Sequence, residues 1–325
     1  MHLLWMSLLY CLWGGSTPGL AAPQVTVLGR DYILFTGPDK PLLQAVPVDS
    51  FGWDSNGVWV ADSVRHTATR YAPAGISVSL QETQGVLSNV EDGVFFSIST
   101  DSTLALRKPD GSWIGSAPVS ASWQIHRVVR FEEAWVALVE TRDHVSAFWL
   151  AKLAQDLRWG SLEFLFSTPE SWRRPWIGVQ EGTVWVGASV SGAHTAYCPL
   201  IVHWSPKTGV SFHYEWEERG LFLDGLFLNG LPLIARDRTT GSFSLPVYST
   251  LEIIPAAHAP QIVYSGEPNE LIEATADAGD EMVLATRSLT RGVAELHSWS
   301  KTPGQPSVLI QELPGSPQAV FIHRN

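Results

Sequence analysis

Two arginines flanked by two tryptophans, Trp172-Arg173-Arg174-Pro175-Trp176, are the densest stretch of binding chemistry in the sequence. Guanidinium groups grip carboxylates or phosphates in a planar fork, and indole faces stack on sugars or cations. The alternative is a loop whose indoles pack between layers and whose arginines are solvated. Glu215, Glu217 and Glu218, separated by Trp216, set three carboxylates close together. A carboxylate pair can serve as acid and base in glycoside hydrolysis at a defined separation, but a solvated rim also fits. Arg236-Asp237-Arg238 reads as surface ion pairs of small energetic weight. Ten histidines are scattered without an H-x-x-x-H spacing, no cysteines cluster, and no Asp-rich loop matches an EF-hand. No metal and no cofactor is therefore expected. A G-x-S-x-G nucleophile is absent, and Cys198, in the strand-like run Tyr197 to Val202, suits a small buried apolar residue.

Those residues need a frame to hold them. The chain has 325 residues, 45% of them apolar and 16% charged, which is a globular composition. Fifteen Trp are many, and rings of that size must pack between layers or serve as contact surface. A net charge of −11, with no basic stripe, excludes a phosphate-neutralising nucleic-acid binder.

Leu3 to Trp13 is an uncharged apolar run too short to span a bilayer. Small residues follow, ending in Gly19-Leu20-Ala21, so residues 1–21 read as a signal peptide cleaved after Ala21, although no Lys or Arg precedes the run. Residues 22–325 then form one domain without membrane insertion. Cleavage leaves Cys198 as the single cysteine, so no disulfide can form within the chain, and no Asn begins a glycosylation sequon. Both features suit a secreted or periplasmic bacterial protein.

One phrase recurs: a turn, three large apolar residues, then a small one. It appears as Gly57-Val58-Trp59-Val60-Ala61, Gly93-Val94-Phe95-Phe96-Ser97, Glu133-Ala134-Trp135-Val136-Ala137 and Val184-Trp185-Val186-Gly187. Weaker copies end at Ala235 and Ala285. The intervals run from 36 residues (61 to 97) to 50 (137 to 187), the length of a four-stranded propeller blade. Hairpin signals such as Asn229-Gly230 precede the phrase, and further strands and Gly-containing turns follow it, as in Ile201 to Trp204 before Pro206 to Gly209. Six such units begin near Ser50. Three strand-like runs precede them (Val25 to Leu28, Tyr32 to Thr36, Leu42 to Val46), and a spare one, Ala319 to His323, follows. The expectation is an all-β, seven-bladed propeller whose seventh blade combines N- and C-terminal strands. A six-bladed ring with terminal strands as a cap, or a pair of sandwiches, competes with it.

The phrase turn-Gly-x-x-Trp-Val-Gly/Ala, followed by Trp-Ser-Pro-Lys-Thr-Gly at 204–209, resembles the repeats of bacterial periplasmic sensor propellers, the two-component-regulator and NHL-like propeller repeats. Residues 182–209 carry it best. Pro232 and Met282, at the first apolar position of the later copies, depart from it. The resemblance implies a propeller fold and ligand sensing and supplies no catalytic residues. Asp110-Gly111-Ser112-Trp113 resembles a single Asp-box turn, which is structural where it occurs.

Propellers present functional groups at the mouth of the central channel. Counting back from each hairpin to the start of the first strand gives Asp49, His126, Arg127, Arg174, Trp176, Asp224 and Glu273 as candidate ligand contacts. The resulting expectation is a non-catalytic binding module for a small polar ligand or an unknown protein partner. A hydrolase or lyase of carbohydrates or lactones, with channel carboxylates and His126 as acid and base, is the alternative. A purely structural scaffold is a third.

Overall fold

The computed structural model describes residues 24–323 except 37–40, 55–56, 90, 92, 143, 169–170, 192–196, 216–219, 240–246 and 256–258. Backbone alone is described at 77, 171–174, 191, 197, 211–215 and 239. The expected signal peptide and Trp216, Glu217 and Glu218 lie outside the described residues.

Every named element is a strand. β1 (Gln24–Gly29), β2 (Tyr32–Thr36) and β3 (Leu42–Ala45) come first. β4 (Ser50–Asp54), β5 (Gly57–Asp62), β6 (Thr67–Ala72) and β7 (Gly75–Gln81) make a four-stranded antiparallel sheet. The next contains β8 (Thr83–Val86), β9 (Phe95–Ser99), β10 (Thr103–Arg107) and β11 (Trp113–Pro118). The third is β12 (Trp123–Phe131), β13 (Ala134–Arg142), β14 (Ser146–Leu153) and β15 (Trp159–Thr168). The fourth is β16 (Ser171–Gln180), β17 (Thr183–Ser191), β18 (Tyr197–Ser205) and β19 (Gly209–Glu215). Then follow β20 (Phe222–Leu228), β21 (Leu231–Thr239), β22 (Val247–Ile253) and β23 (Gln261–Ser265). β24 (Glu270–Asp277), β25 (Met282–Ser288), β26 (Ala294–Trp299) and β27 (Val308–Leu313) precede β28 (Pro317–His323).

β28 pairs antiparallel with β1, from Gln24 opposite His323 to Gly29 opposite Pro317, giving the composite sheet β28-β1-β2-β3. A buried contact of 2.6 Å between Thr26 Oγ1 and His323 Nε2 fixes that seam. The expectation of seven separate four-stranded blades, or six, needs correction. Five four-stranded sheets stand alone, and β20–β27 form one eight-stranded sheet. The reason is local: Tyr248 and Glu270 form a parallel bridge that joins β22 to β24.

The turns and the small residues explain the recurrent phrase. Asn229 and Gly230 both hold positive φ (51° and 80°), the mirror-image turn that matches strand twist in a tight hairpin. The small residue at the phrase's end sits where the next sheet presses in. A Cβ on Gly187 would fall 2.4 Å from the Phe222 ring in β20. Ala61, Ala235 and Ala285 are likewise buried against the following sheet, whereas Ala137 is buried against the preceding one.

Apolar clusters mark the junctions between successive units among the described residues. Trp59 and Phe95, with rings 4.7 Å apart, join β4–β7 to β8–β11. Further clusters join each following pair, including Leu233 and Leu251 packed with Met282 and Leu284 between the halves of the eight-stranded sheet. The composite sheet packs on one side against β24–β27, through Val27 and Leu296, and on the other against β4–β6, through Phe35 and Val60. The ring closes there.

Arg236 and Asp237 depart from the surface ion pairs read from the sequence. Both are buried, and Arg236 Nε donates to Glu252 Oε1 at 2.7 Å inside the sheet. Strand alternation sends Arg236 into the gap between neighbouring sheets, where only a buried carboxylate can meet it.

Candidate functional site

The inner strands β28, β4, β8, β12, β16, β20 and β24 enclose an axial cavity of about 1620 Å³. Asp49, His126, Arg127, Trp176, Asp224 and Glu273 all line it, together with Trp53, Gln124 and Asp277. Arg174 lies in β16, and its side chain falls outside the described residues.

Irregular pairing places two of these groups. β12 slips register between Ile125 and Arg127, and β24 between Ile272 and Ala274, leaving His126 and Glu273 as the extra residues of β-bulges. A bulge re-aims a side chain and is common beside functional sites. His126 Nε2 lies 2.8 Å from Glu140 Oε2, and its ring stacks on Phe148. Glu140, missed in the sequence because it stands alone in Leu138-Val139-Glu140-Thr141, is fully buried. Arg142 Nε donates to its Oε1 at 2.7 Å and Ser146 Oγ at 2.6 Å. Burial alone would raise the Glu140 pKa, but the hydrogen bonds from His126, Arg142 and Ser146 outweigh it and bring it down to about 2.

The remaining candidates are also engaged. Glu273 Oε1 accepts from Arg287 Nε and Nη2 at 2.9 and 2.8 Å. Asp49 Oδ2 accepts from the Ser63 amide and hydroxyl, each at 2.7 Å. Asp224 Oδ2 accepts from the Thr275 amide at 2.7 Å and hydroxyl at 3.0 Å, and its Oδ1 from the Gly225 amide at 2.8 Å. Burial pushes the Asp224 carboxyl up, while these donors and the Arg127 charge oppose it. Arg127 reaches from β12 to β4, its guanidinium 5.7 Å from the Phe51 ring centroid and 5.4 Å from Trp53, within the range of a cation–π contact. The Trp176 ring packs on Phe222 and Phe227 of β20, so it serves the junction as well as the cavity wall.

Sheets arranged radially around an axial cavity, with closure by a shared terminal sheet, define an all-β β-propeller. No protein-family model matches the chain, and no curated protein matches its sequence. Solved structures do match. A putative 6-phosphogluconolactonase from Bacteroides uniformis aligns over 92% of this chain and 99% of its own, at 12% identity and a TM-score of 0.59. The Cps50 (Swd1) β-propeller domain of Myceliophteria thermophila aligns over 88% and 99%, at 11% identity and 0.51. The dihydro-heme d1 dehydrogenase NirN aligns over 94% and 77%, at 11% identity and 0.55. Identities this low show the fold alone. The likeness to propeller repeats seen in the sequence therefore holds at the level of fold.

Proposed function

We propose that this chain is an exported, non-catalytic propeller that binds a polar ligand or a segment of a partner protein at the mouth of its channel. One observation carries the reading: the cavity is large and its acidic groups are held by neighbours. Its volume of about 1620 Å³ exceeds the roughly 300–1,000 Å³ of small-molecule pockets. Asp49, Asp224 and Glu273 each accept hydrogen bonds from within the protein, so they serve the wall before any substrate. Arg127, lying over two aromatic rings at the cavity wall, is the side chain best placed to recognise an anionic group.

The alternative, a hydrolase or lyase, is favoured by the neighbour named a putative 6-phosphogluconolactonase. It would need His126 as a base, and His126 is turned onto buried Glu140. A thermal-shift screen of the purified chain against polar metabolites and peptides separates the two. Arg127→Ala should lose at least about tenfold in affinity for whatever raises the wild-type Tm, the scale of one lost charged contact. Turnover of a lactone or aryl glycoside that Asp224→Asn abolishes would sink the binding reading.

For export, the support is the uncharged apolar run Leu3 to Trp13 followed by the small-residue ending Gly19-Leu20-Ala21. N-terminal sequencing of the exported chain should read from Ala22; a retained Met1 would overturn cleavage.

A further inference from the structure

We propose that Glu270, Glu295 and His297 form a site for a divalent transition-metal cation, with Zn²⁺ as the fitting ion, away from the central channel. The three residues line a second cavity, of about 740 Å³, walled by β23, β24, β26 and the loop before β27. One ligand atom from each lies within 4.8 Å of the other two. His297 Nε2 is 3.3 Å from Glu295 Oε2 and 3.8 Å from Glu270 Oε1. Donors bonded to one tetrahedral Zn²⁺ at about 2.0–2.2 Å stand roughly 3.3–3.5 Å apart, so small rotations would suffice.

The chain builds this arrangement from two strands. Glu295 and His297 are two residues apart on β26 and project to the same face. Glu270 arrives at the start of β24, where the Glu267 amide donates to its Oε2 at 3.0 Å. No H-x-x-x-H or cysteine pattern announces such a set, because the ligands come from separate strands.

Charge and hydrogen bonding favour a cation. The Glu270 side chain is only 9% exposed, its Oε1 lies 3.8 Å from His297 Nε2, and it faces the second carboxylate across the cluster. Arg291 already neutralises Glu295, through Nη1 to Oε1 at 3.0 Å and Nη2 to Oε2 at 2.9 Å. Glu270 and Glu295 thus bring two carboxylates and an imidazole together in one partly enclosed pocket, an arrangement that a cation bound between them would stabilise. The other ring nitrogen of His297, Nδ1, lies 3.3 Å from Ser307 Oγ, itself 3.0 Å from the Tyr264 hydroxyl. That contact orients the ring with Nε2 toward the two carboxylates, the kind of outer support a metal-bound imidazole has. An imidazole with two carboxylates selects zinc-like ions over Mg²⁺ or Ca²⁺.

The test is calorimetric titration of the full mature chain, stripped with EDTA, with Zn²⁺. One equivalent should bind, and Glu270→Gln and His297→Asn should each weaken it at least about tenfold, the loss expected for a ligand or its support. The wild-type Tm should rise with Zn²⁺ and the variants' should not. Should either variant fail to fold, X-ray absorption of the Zn²⁺-loaded wild-type chain decides: one imidazole in an otherwise oxygen shell supports the site. No stoichiometric binding, affinity unchanged in the variants, or a shell with no imidazole or several overturns it.

Discussion

Arg236→Ala is expected to lower the free energy of unfolding by about 3–5 kcal/mol, the cost of stranding one partner of a buried ion pair. Arg236 Nε and Glu252 Oε1 are 2.7 Å apart, with side-chain exposures of 3% and 2%. Thr250 Oγ1 donates to the same Glu252 oxygen at 2.9 Å. Removing the guanidinium strips a buried carboxylate of the cation that pairs with it. The sharper test is the double variant Arg236→Met/Glu252→Leu, which removes both charges at similar volume. It should return to within about 1 kcal/mol of wild type or exceed it, since a well-packed apolar pair often replaces a buried ion pair without loss. Urea midpoints of the three chains suffice. A single variant as stable as wild type would mean that Glu252 is not desolvated as described.

Glu140→Ala is the second large effect, about 3 kcal/mol at neutral pH, the scale set by a carboxylate whose pKa is held at about 2 against an ordinary 4.5. Its pH dependence gives a signature that packing loss cannot imitate. Burial opposes the charged form, but the hydrogen bonds from His126, Arg142 and Ser146 hold the folded-state pKa at about 2, against an ordinary 4.5. A depressed carboxylate binds fewer protons folded than unfolded below pH 4.5. The stability it contributes is therefore complete above pH 4.5 and lost as pH falls toward 2. Urea midpoints measured from pH 7 downward should show wild type and Glu140→Gln converging as pH 2 is approached. A gap that stays constant across that range would show that the ionised carboxylate is not what the three donors hold.

Much of the fold could be read from the chain because its signals are local. The positive-φ turn at Asn229-Gly230 and the small residue closing each phrase are requirements of neighbouring backbone and rings. The spare strand near 319–323 was legible because an apolar, strand-forming run remained after the other units were counted. The separation of sheets was not, since a single bridge between Tyr248 and Glu270 has no sequence signature. Arg236-Asp237-Arg238 misled because adjacent opposite charges suggest solvent, whereas alternation along β21 turns Arg236 toward a carboxylate 16 residues away. Six channel candidates lie on the cavity wall because blade direction fixes which strand is innermost. Their partners were illegible: Glu140, Arg287 and Thr275 gain meaning only through contacts between strands.

The seam between β28 and β1 has a topological consequence. Gln24 and His323 sit opposite each other in one ladder, so the first and last described strands end side by side in one sheet with no long span to bridge. The ring thus has no structurally privileged first residue: joining those ends through a short linker and cutting a surface loop elsewhere would preserve every sheet. The order in which the units are written along the polypeptide is a matter of ancestry and synthesis, and the closed architecture is indifferent to it.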